Sequence, residues 1–447
     1  MPSQREILLI NPWIYDFTAY DYWLKPLGLL YIASILKEHT SCHLSFIDCL
    51  DRHHPLLEKK LKAKPDGRGS FPKEGVPKPE VLKKVPRKYS RYGIPISLFL
   101  HELSQTPRPD LVLMTCTMTY WYPGVQLTAE LIRKTFGHVP IVLGGIYASL
   151  MPEHAHLFSG ADLVIKGAGE NEILPLLRNL LGVGFCREVE FKTFEELPSP
   201  AFDFLRDKEA LPLLTSRGCP FKCTFCASGL LYKRFEQRSP SSVVSEIEYF
   251  YEQYKTRNFA FYDDALLLDK EKHIVPILKE IVRRKLPLTF HSPNGLHVRE
   301  IDSELAVLFK EAGVQSLFLS QESFDEKLLE KSCQKVGAGD LEKALVNLEK
   351  AGYRSEDINV YLIVGLPGQD VSGIKKSILQ VLRLGARPRL AYFSPVPGTE
   401  EWENLIKKGY LPQDADPLLH NKLTFPYLWG DFSPEDFLSL RRLLNEP

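Results

Sequence analysis

Short apolar runs alternate with helix-period segments twice along this chain, and that alternation confines it to a parallel α/β architecture. Ile7 to Asn11 is a continuous apolar run, as in a strand buried on both faces of a parallel sheet. Leu27 to Lys37 has helical spacing, and Leu44 to Asp48 reads as a second short strand. The rhythm resumes with the strand Asp110–Thr115, the helix Val125–Thr135 and the strand Pro140–Leu143, which runs into Gly144–Gly145. Ala161 to Ile165 adds a strand that ends at Gly167-Ala-Gly-Glu170. The first series predicts an open, doubly wound parallel sheet with helices on both faces, over residues 1–185.

The rhythm is lost over 174–212, and Leu197-Pro-Ser-Pro200 has the chemistry of a linker, assigned to 186–211. A second series then places strands at Leu213–Ser216, Phe259–Asp263, Leu288–His291, Ser316–Leu319, Asn359–Val364 and Arg389–Phe393. Helical segments such as Ser242–Tyr254, Lys272–Arg284 and Ser303–Ala312 lie between them. Strand–helix units in such a row predict a barrel or partial barrel over 212–400. A mostly helical extension, 401–447, follows, with aromatics at Trp402, Phe425, Tyr427, Trp429 and Phe432.

One stretch breaks the first series. Residues 51–95 are rich in Pro, Lys and Arg and long for a connection in a compact domain, so they are either functional or mobile. His53, His54 and Arg87-Lys-Tyr-Ser-Arg91-Tyr92 suit a lid or recognition of an anionic substrate, while a solvated loop is the default for such a charge run. Elsewhere charge is balanced, with Lys plus Arg at 56 and Asp plus Glu at 56, which offers nothing that points to a nucleic-acid partner. No stretch has the length and apolarity of a membrane span or signal peptide, so the expectation is a soluble, cytoplasmic protein.

The chain has eight cysteines. Cys42, Cys49, Cys116, Cys186 and Cys333 are scattered, unlike a disulfide framework, and read best as small buried hydrophobes. The other three crowd into Thr215-Ser-Arg-Gly-Cys219-Pro-Phe-Lys-Cys223-Thr-Phe-Cys226. Three thiolates suit a cubane iron–sulfur cluster, whose four irons want four ligands, and leave one iron open. A structural zinc site would want a fourth protein ligand, and none lies nearby in the sequence. The triplet follows the first strand of the second series, at the C-terminal mouth where barrel enzymes keep their active sites.

Cys219-Pro-Phe-Lys-Cys223-Thr-Phe-Cys226 resembles the cluster motif of the radical S-adenosylmethionine (SAM) superfamily. The resemblance implies a TIM-like (β/α)6 partial barrel in which Cys219, Cys223 and Cys226 ligate three irons of a 4Fe–4S cluster. SAM would chelate the fourth iron through its amino and carboxylate groups. One electron from the reduced cluster would then cleave SAM to methionine and a 5′-deoxyadenosyl radical, which abstracts hydrogen from substrate. Phe225 resembles the aromatic that meets the adenine. Asp263 and Asp264 suit the SAM ammonium, or equally a helix cap. Gln321 and Glu322 resemble a ribose or carboxylate contact, or are plain loop polar residues. Gly365, in Gly365-Leu-Pro-Gly368, lets backbone approach a ligand or simply turns. Pro395, in Tyr392-Phe-Ser-Pro395-Val-Pro-Gly398-Thr399, resembles the family's closing segment. Arg299, in Asn294-Gly-Leu-His-Val-Arg299, either meets the SAM carboxylate or pairs on the surface.

Pro26-Leu-Gly-Leu-Leu-Tyr-Ile-Ala-Ser34, the strand Asp110–Thr115, Val142-Leu-Gly-Gly-Ile-Tyr-Ala-Ser149 and Ala161–Glu170 resemble the Rossmann-like cobalamin (B12)-binding domain that precedes many radical SAM barrels. The family's DxHxxG motif is absent, since the loop after the first strand reads Asn11-Pro-Trp13-Ile-Tyr-Asp-Phe-Thr-Ala-Tyr-Asp-Tyr22-Trp23. Cobalamin then binds without a histidine from below, or the domain keeps only the fold. Thr115, Thr117, Gly144 and Gly145 are the candidates to accommodate a nucleotide tail at the switch point, and Met118-Thr-Tyr-Trp-Tyr122 faces the corrin, the substrate or plain core.

The resemblance implies a cobalamin-dependent radical SAM methyltransferase acting on an unactivated carbon, or a phosphorus, of an unidentified small-molecule, lipid or peptide substrate. A flavodoxin or ferredoxin would be its electron donor. The alternative keeps the cluster but performs cyclisation, oxidation, rearrangement or coupling, with the N-terminal domain as scaffold. A non-catalytic corrinoid carrier or sensor is the reading from another class, and the intact cysteine motif argues against it.

Overall fold

The computed structural model describes residues 5–444 apart from 59, 60, 62, 183–188, 332–334, 425, 426 and 428–431. Cys186, Cys333, Phe425 and Trp429 lie outside the described residues. The chain divides into two compact units, Met1–Lys208 and Glu209–Pro447.

The first unit is built on strands β1 (Glu6–Asn11) and, after the short β2 (Ile14–Asp16), β3 (His43–Asp48). Two more short strands follow, β4 (Lys73–Gly75) and β5 (Ser90–Tyr92), then β6 (Leu111–Thr115), β7 (Ile141–Gly144) and β8 (Leu163–Val164). Five of these form one sheet in the order β3-β1-β6-β7-β8, every pair parallel. All five residues of β6 are buried, which is why it reads as an unbroken apolar run. Ile7 and Leu9 pack with Leu29, Ala33 and Leu36 of the helix Leu27–His39 and with Ile173, Leu174 and Leu177 of the helix Ile173–Leu181. The strand order reverses between β1 and β6, so the crevice at their C-terminal ends is the switch point where such sheets bind ligands.

The insertion 51–95 is no solvated loop. β2, β5 and β4 pair as a three-stranded antiparallel sheet, with Ile14 opposite Tyr92 and Lys73 also opposite Tyr92. Phe71, Leu82, Val85, Tyr89, Tyr92 and Ile94 are buried, so the segment holds enough apolar surface to order itself despite its charges. Arg52 is buried too, donating from Nε to Asp21 at 2.9 Å. The segment 186–211 contains the boundary between the two units, and its described part before that boundary packs on the first: Phe194, Ala201, Phe202 and Leu205 are buried, and the Ala201 N–H donates to the Leu30 carbonyl at 3.1 Å.

In the second unit β9 (Ala210–Leu213) leads to β10 (Ser216–Arg217), β11 (Glu236–Gln237), β12 (Asn258–Phe261), β13 (Thr289–His291) and β14 (Leu296–His297). β15 (Val314–Ser316), β16 (Phe318–Glu322), β17 (Asn359–Val364) and β18 (Arg387–Tyr392) complete it. Two four-stranded parallel sheets, β15-β13-β12-β9 and β14-β16-β17-β18, form the walls of a partial barrel. The strand expected at Ser316–Leu319 is divided at Leu317, where the chain passes from one wall to the other. Intervening helices start where small polar caps accept a free N–H: Asp302 from Leu305 at 2.8 Å, and Asp370 from Gly373 at 2.6 Å.

Candidate functional site

The first barrel strand, expected at Leu213–Ser216, lies instead at Ala210–Leu213, because the backbone donors after Leu213 turn to a side chain. One carboxylate oxygen of Asp263, just past β12, accepts the Thr215 N–H at 3.0 Å and the Thr215 hydroxyl at 2.7 Å. It also accepts the Ser216 N–H and, at 2.6 Å, the Ser216 hydroxyl. Burial pushes the Asp263 carboxyl up to about 6 against these bonds. Its other oxygen is buried without a protein partner.

The cysteine loop springs from β10, which pairs with β11 antiparallel rather than extending the barrel strand. Gly218 sits at φ +80°, and a side chain there would lie 2.6 Å from the Arg234 carbonyl, so glycine is required. Cys219 is half-buried, Cys223 buried and Cys226 exposed. The Cys226 N–H donates to the Cys223 carbonyl at 3.1 Å, and the Ser228 N–H to Cys226 Sγ at 3.5 Å.

Lys335, which no motif marks in the sequence, is the charge centre of this loop. Its ammonium lies 5.0 Å from the centroid of the Phe221 ring. Burial would lower its pKa, but the neighbouring Cys223 and Cys219 sulfurs and Glu322 outweigh burial and hold it above the ordinary value. Burial raises the Cys219 thiol, and Lys335 pulls it back. Cys226 is raised by burial as well, opposed by the Ser228 N–H, with Asp264 adding to the rise and Lys335 opposing it. Asp264 accepts a hydrogen bond from the Ser228 hydroxyl and is held above its ordinary value by burial. Glu322, whose φ of +61° is strained for a residue other than glycine, is raised by burial and lowered by Lys335. His297 packs edge-on to Phe221 at 5.1 Å, and burial followed by Lys335 pushes its imidazole down to about 4, so it is neutral at pH 7.

Cys219, Cys223, Cys226, Asp264 and Glu322 are thus brought within electrostatic reach of one lysine. Gln321 is buried and donates to the Ser323 carbonyl at 2.8 Å, while its own amide oxygen is buried without a partner. Phe225 is half-buried in the loop. Gly365 has its N–H taken by the Gln369 side chain at 2.8 Å, so it serves a stapled turn, and Pro395 is buried past β18. Arg299 pairs with Asp340 at 3.2 Å on the surface. Among the described residues no three His, Cys, Asp or Glu side chains converge on one metal ion. A cubane spreads its thiolates over different irons, so three thiols with no fourth ligand beside them among the described residues fit a 4Fe–4S cluster better than a zinc ion.

In the first unit, Thr115 ends β6 with Thr117 two residues beyond it, and Gly144 ends β7 with Gly145 at the start of the next helix. Gly145 has φ +91°, and a side chain there would lie 2.7 Å from both the Cys116 carbonyl and the Thr115 hydroxyl. In front of Gly144 a side chain would meet nothing within 4 Å. Open space thus lies in front of Gly144 at the end of β7, one strand from the switch point, while Gly145 is packed against Thr115 and Cys116. The loop after β1 is filled from within: Trp13 is buried, donates to the Ile94 carbonyl at 2.7 Å and packs against Phe99 at 4.7 Å. Trp121, in the aromatic run after β6, donates to Asp16 at 3.0 Å, and Tyr120 is buried, so two of these aromatics belong to the packing of this unit. His53 and His54 pair with Asp207 at 3.1 Å and Glu102 at 3.2 Å in a polar cavity of 220 Å³ beyond the end of β3.

Residues 213–381 match the family model of the Radical SAM superfamily, and residues 96–176 that of the B12 binding domain. An uncharacterized methyltransferase of Pyrococcus horikoshii is 25% identical over 68% of this chain and 71% of its own length. Cytidylyl-2-hydroxyethylphosphonate methyltransferase of Streptomyces wedmorensis is 24% identical over 92% of this chain and 84% of its own. The solved structure of the radical SAM methyltransferase TsrM from Kitasatospora setae, with cobalamin and a [4Fe-4S] cluster bound, superposes with a TM-score of 0.68. That match covers 98% of this chain and 91% of the other at 17% identity, a likeness of fold. No described helix is long and apolar enough to cross a membrane.

Proposed function

We propose that this chain, a radical SAM enzyme with a B12-binding domain, methylates a carbon or phosphorus centre that lacks ordinary nucleophilicity. The loop of three closely spaced thiols carries the reading, and the methyltransferases among its relatives give its direction. When bound, the cluster supplies one-electron cleavage of SAM and cobalamin a transferable methyl group.

The chain's own residues would do the following. Cys219, Cys223 and Cys226 hold the cluster at three irons, and Lys335 offsets the negative charge gathered on their sulfurs. Asp263 and Gln321 are the candidates for SAM's ammonium and hydroxyl donors, which would reach their unpartnered oxygens only where neighbouring side chains move aside, since both oxygens are closed to solvent. Asp264 and Glu322 add negative charge for the ammonium, and Phe225 offers a face for the adenine. In the first unit Thr115, Thr117, Gly144 and Gly145 accommodate the nucleotide tail of cobalamin. No described histidine stands in the loop after β1, whose core is Trp13, so the cobalt would have no lower protein ligand from there. A flavodoxin or ferredoxin is the expected reductant.

The test is anaerobic purification with iron, sulfide and hydroxocobalamin, followed by cofactor quantitation and analysis of SAM products with and without Cys223→Ala. Stoichiometric corrin beside about four irons per chain supports methyl transfer. Iron without corrin would sink it, leaving a radical SAM enzyme whose first unit is a scaffold. SAM turnover that survives Cys223→Ala would remove the cluster assignment itself.

A further inference from the structure

Thr224 lies between Cys223 and Cys226, and it is held by two segments far away in the sequence. Its N–H donates to the Lys331 carbonyl at 2.9 Å. Its hydroxyl donates to Glu401 Oε1 at 3.1 Å, and its carbonyl accepts the Glu401 N–H at 3.0 Å. The same Oε1 receives the Lys331 ammonium at 2.9 Å, which also donates to the Pro367 carbonyl at 2.9 Å.

Glu401 is 1% exposed, and its Oε2 is buried without a partner. Burying a carboxylate is costly unless a charge and donors surround it. Here the compensation comes from Lys331 and from the start of the helix Glu400–Lys407, where the free N–H groups carry partial positive charge. One of those free donors, the Glu401 N–H, is spent on the Thr224 carbonyl rather than on water. The hydroxyl of Thr399 caps the helix by accepting the Trp402 N–H at 3.3 Å, which fixes where Glu401 falls. The helix thus terminates on the cysteine loop.

A fold that needed only to close its barrel would have filled this position with an apolar side chain, which is often as stable as a buried ion pair. The ion pair instead joins the cysteine loop, the loop after β17 that carries Pro367 and the segment after β18 that carries Thr399. We propose that Glu401, with Lys331, is a positioning residue that fixes the span between Cys223 and Cys226 by gripping Thr224 from both its backbone and its hydroxyl. This rests on the reading that Cys219, Cys223 and Cys226 hold the cluster. It assigns the start of the C-terminal extension to the cofactor centre.

The experiment compares the full-length reconstituted chain with Glu401→Gln, Thr224→Val and Thr224→Ser, and with the exposed control Glu403→Gln. Three quantities are read: iron release to a chelator, the EPR signal of the reduced cluster with and without SAM, and thermal unfolding before reconstitution. Glu401→Gln and Thr224→Val are expected to speed iron release roughly 10–100-fold, the range for losing an outer-shell partner of a metal ligand, and to shift the EPR signal. Thr224→Ser and Glu403→Gln are expected to match the unaltered chain. If Glu401→Gln fails to fold, Thr224→Val decides alone. Folded Thr224→Val protein with unaltered iron release and EPR signal overturns the proposal. Failure of the unaltered chain to take up iron would instead overturn the cluster assignment.

Discussion

Asp263→Asn is expected to stabilise the cofactor-free chain at neutral pH, although it removes a charge that four donors address. The carboxyl is 2% exposed, and burial lifts it from 3.8 to about 6. A folded-state pKa above the unfolded value means that the native state binds more protons between these limits. Stability is therefore lost as pH rises from about 4 to about 6, and it stays lost above. The shift corresponds to about 3 kcal/mol. Asn keeps the oxygen that accepts from Thr215 and Ser216, and its NH₂ replaces an oxygen that has no partner. With one unpaired buried donor more than the protonated acid, at about 1 kcal/mol, it should fall slightly below the acid at low pH and exceed it by up to about 2 kcal/mol at pH 7. Asp263→Ala should behave oppositely, stranding the N–H groups of Thr215 and Ser216 and the Ser216 hydroxyl at about 1 kcal/mol each across the whole range, while the Thr215 hydroxyl keeps His273 at 2.8 Å. Urea unfolding of the reduced, cofactor-free chain at intervals from pH 4 to pH 8 gives both differences. If the advantage of Asn over Asp does not grow with pH, the burial argument fails.

Asp21→Ala is expected to lower stability by about 3–5 kcal/mol, because it leaves the Arg52 guanidinium buried without its carboxylate; an unchanged melting temperature in a thermal scan would refute this. Gly145→Ala forces a side chain onto a positive-φ residue against the Cys116 carbonyl and the Thr115 hydroxyl. It should cost about 1–3 kcal/mol and reduce corrin uptake while leaving iron content unchanged. Equal loss of both cofactors would place the effect outside the switch point.

The central strands were legible where burial on both faces leaves an unbroken apolar run, as in Leu111–Met114, whereas the short strands Ile14–Asp16, Lys73–Gly75, Ser90–Tyr92, Ser216–Arg217, Glu236–Gln237 and Leu296–His297 show no such run. The cysteine loop was legible because its three cysteines are close together in sequence. What stayed hidden depended on distant partners. β9 ends early because Asp263 draws the donors of Thr215 and Ser216, which no local propensity encodes. Lys335 and Glu401 carry no motif, and only the fold brings them to the cysteines. The segment 51–95 misled because its lysines and prolines dominate the composition, while the residues that order it, such as Phe71, Val85 and Tyr92, are spread thinly among them.

The pairing of Ile14 with Tyr92 also sets a timetable. As the chain leaves the ribosome N-terminus first, β1 emerges early, but the loop beside it has no strand to lie against until β5 follows. Until then Trp13 lacks the Ile94 carbonyl that it donates to when folded. The rim of the switch-point crevice therefore cannot reach its folded packing until Ile94, Phe99 and Trp121 have emerged as well, so a stretch that precedes most of the sheet in the sequence waits on residues that follow it by 81 to 105 positions.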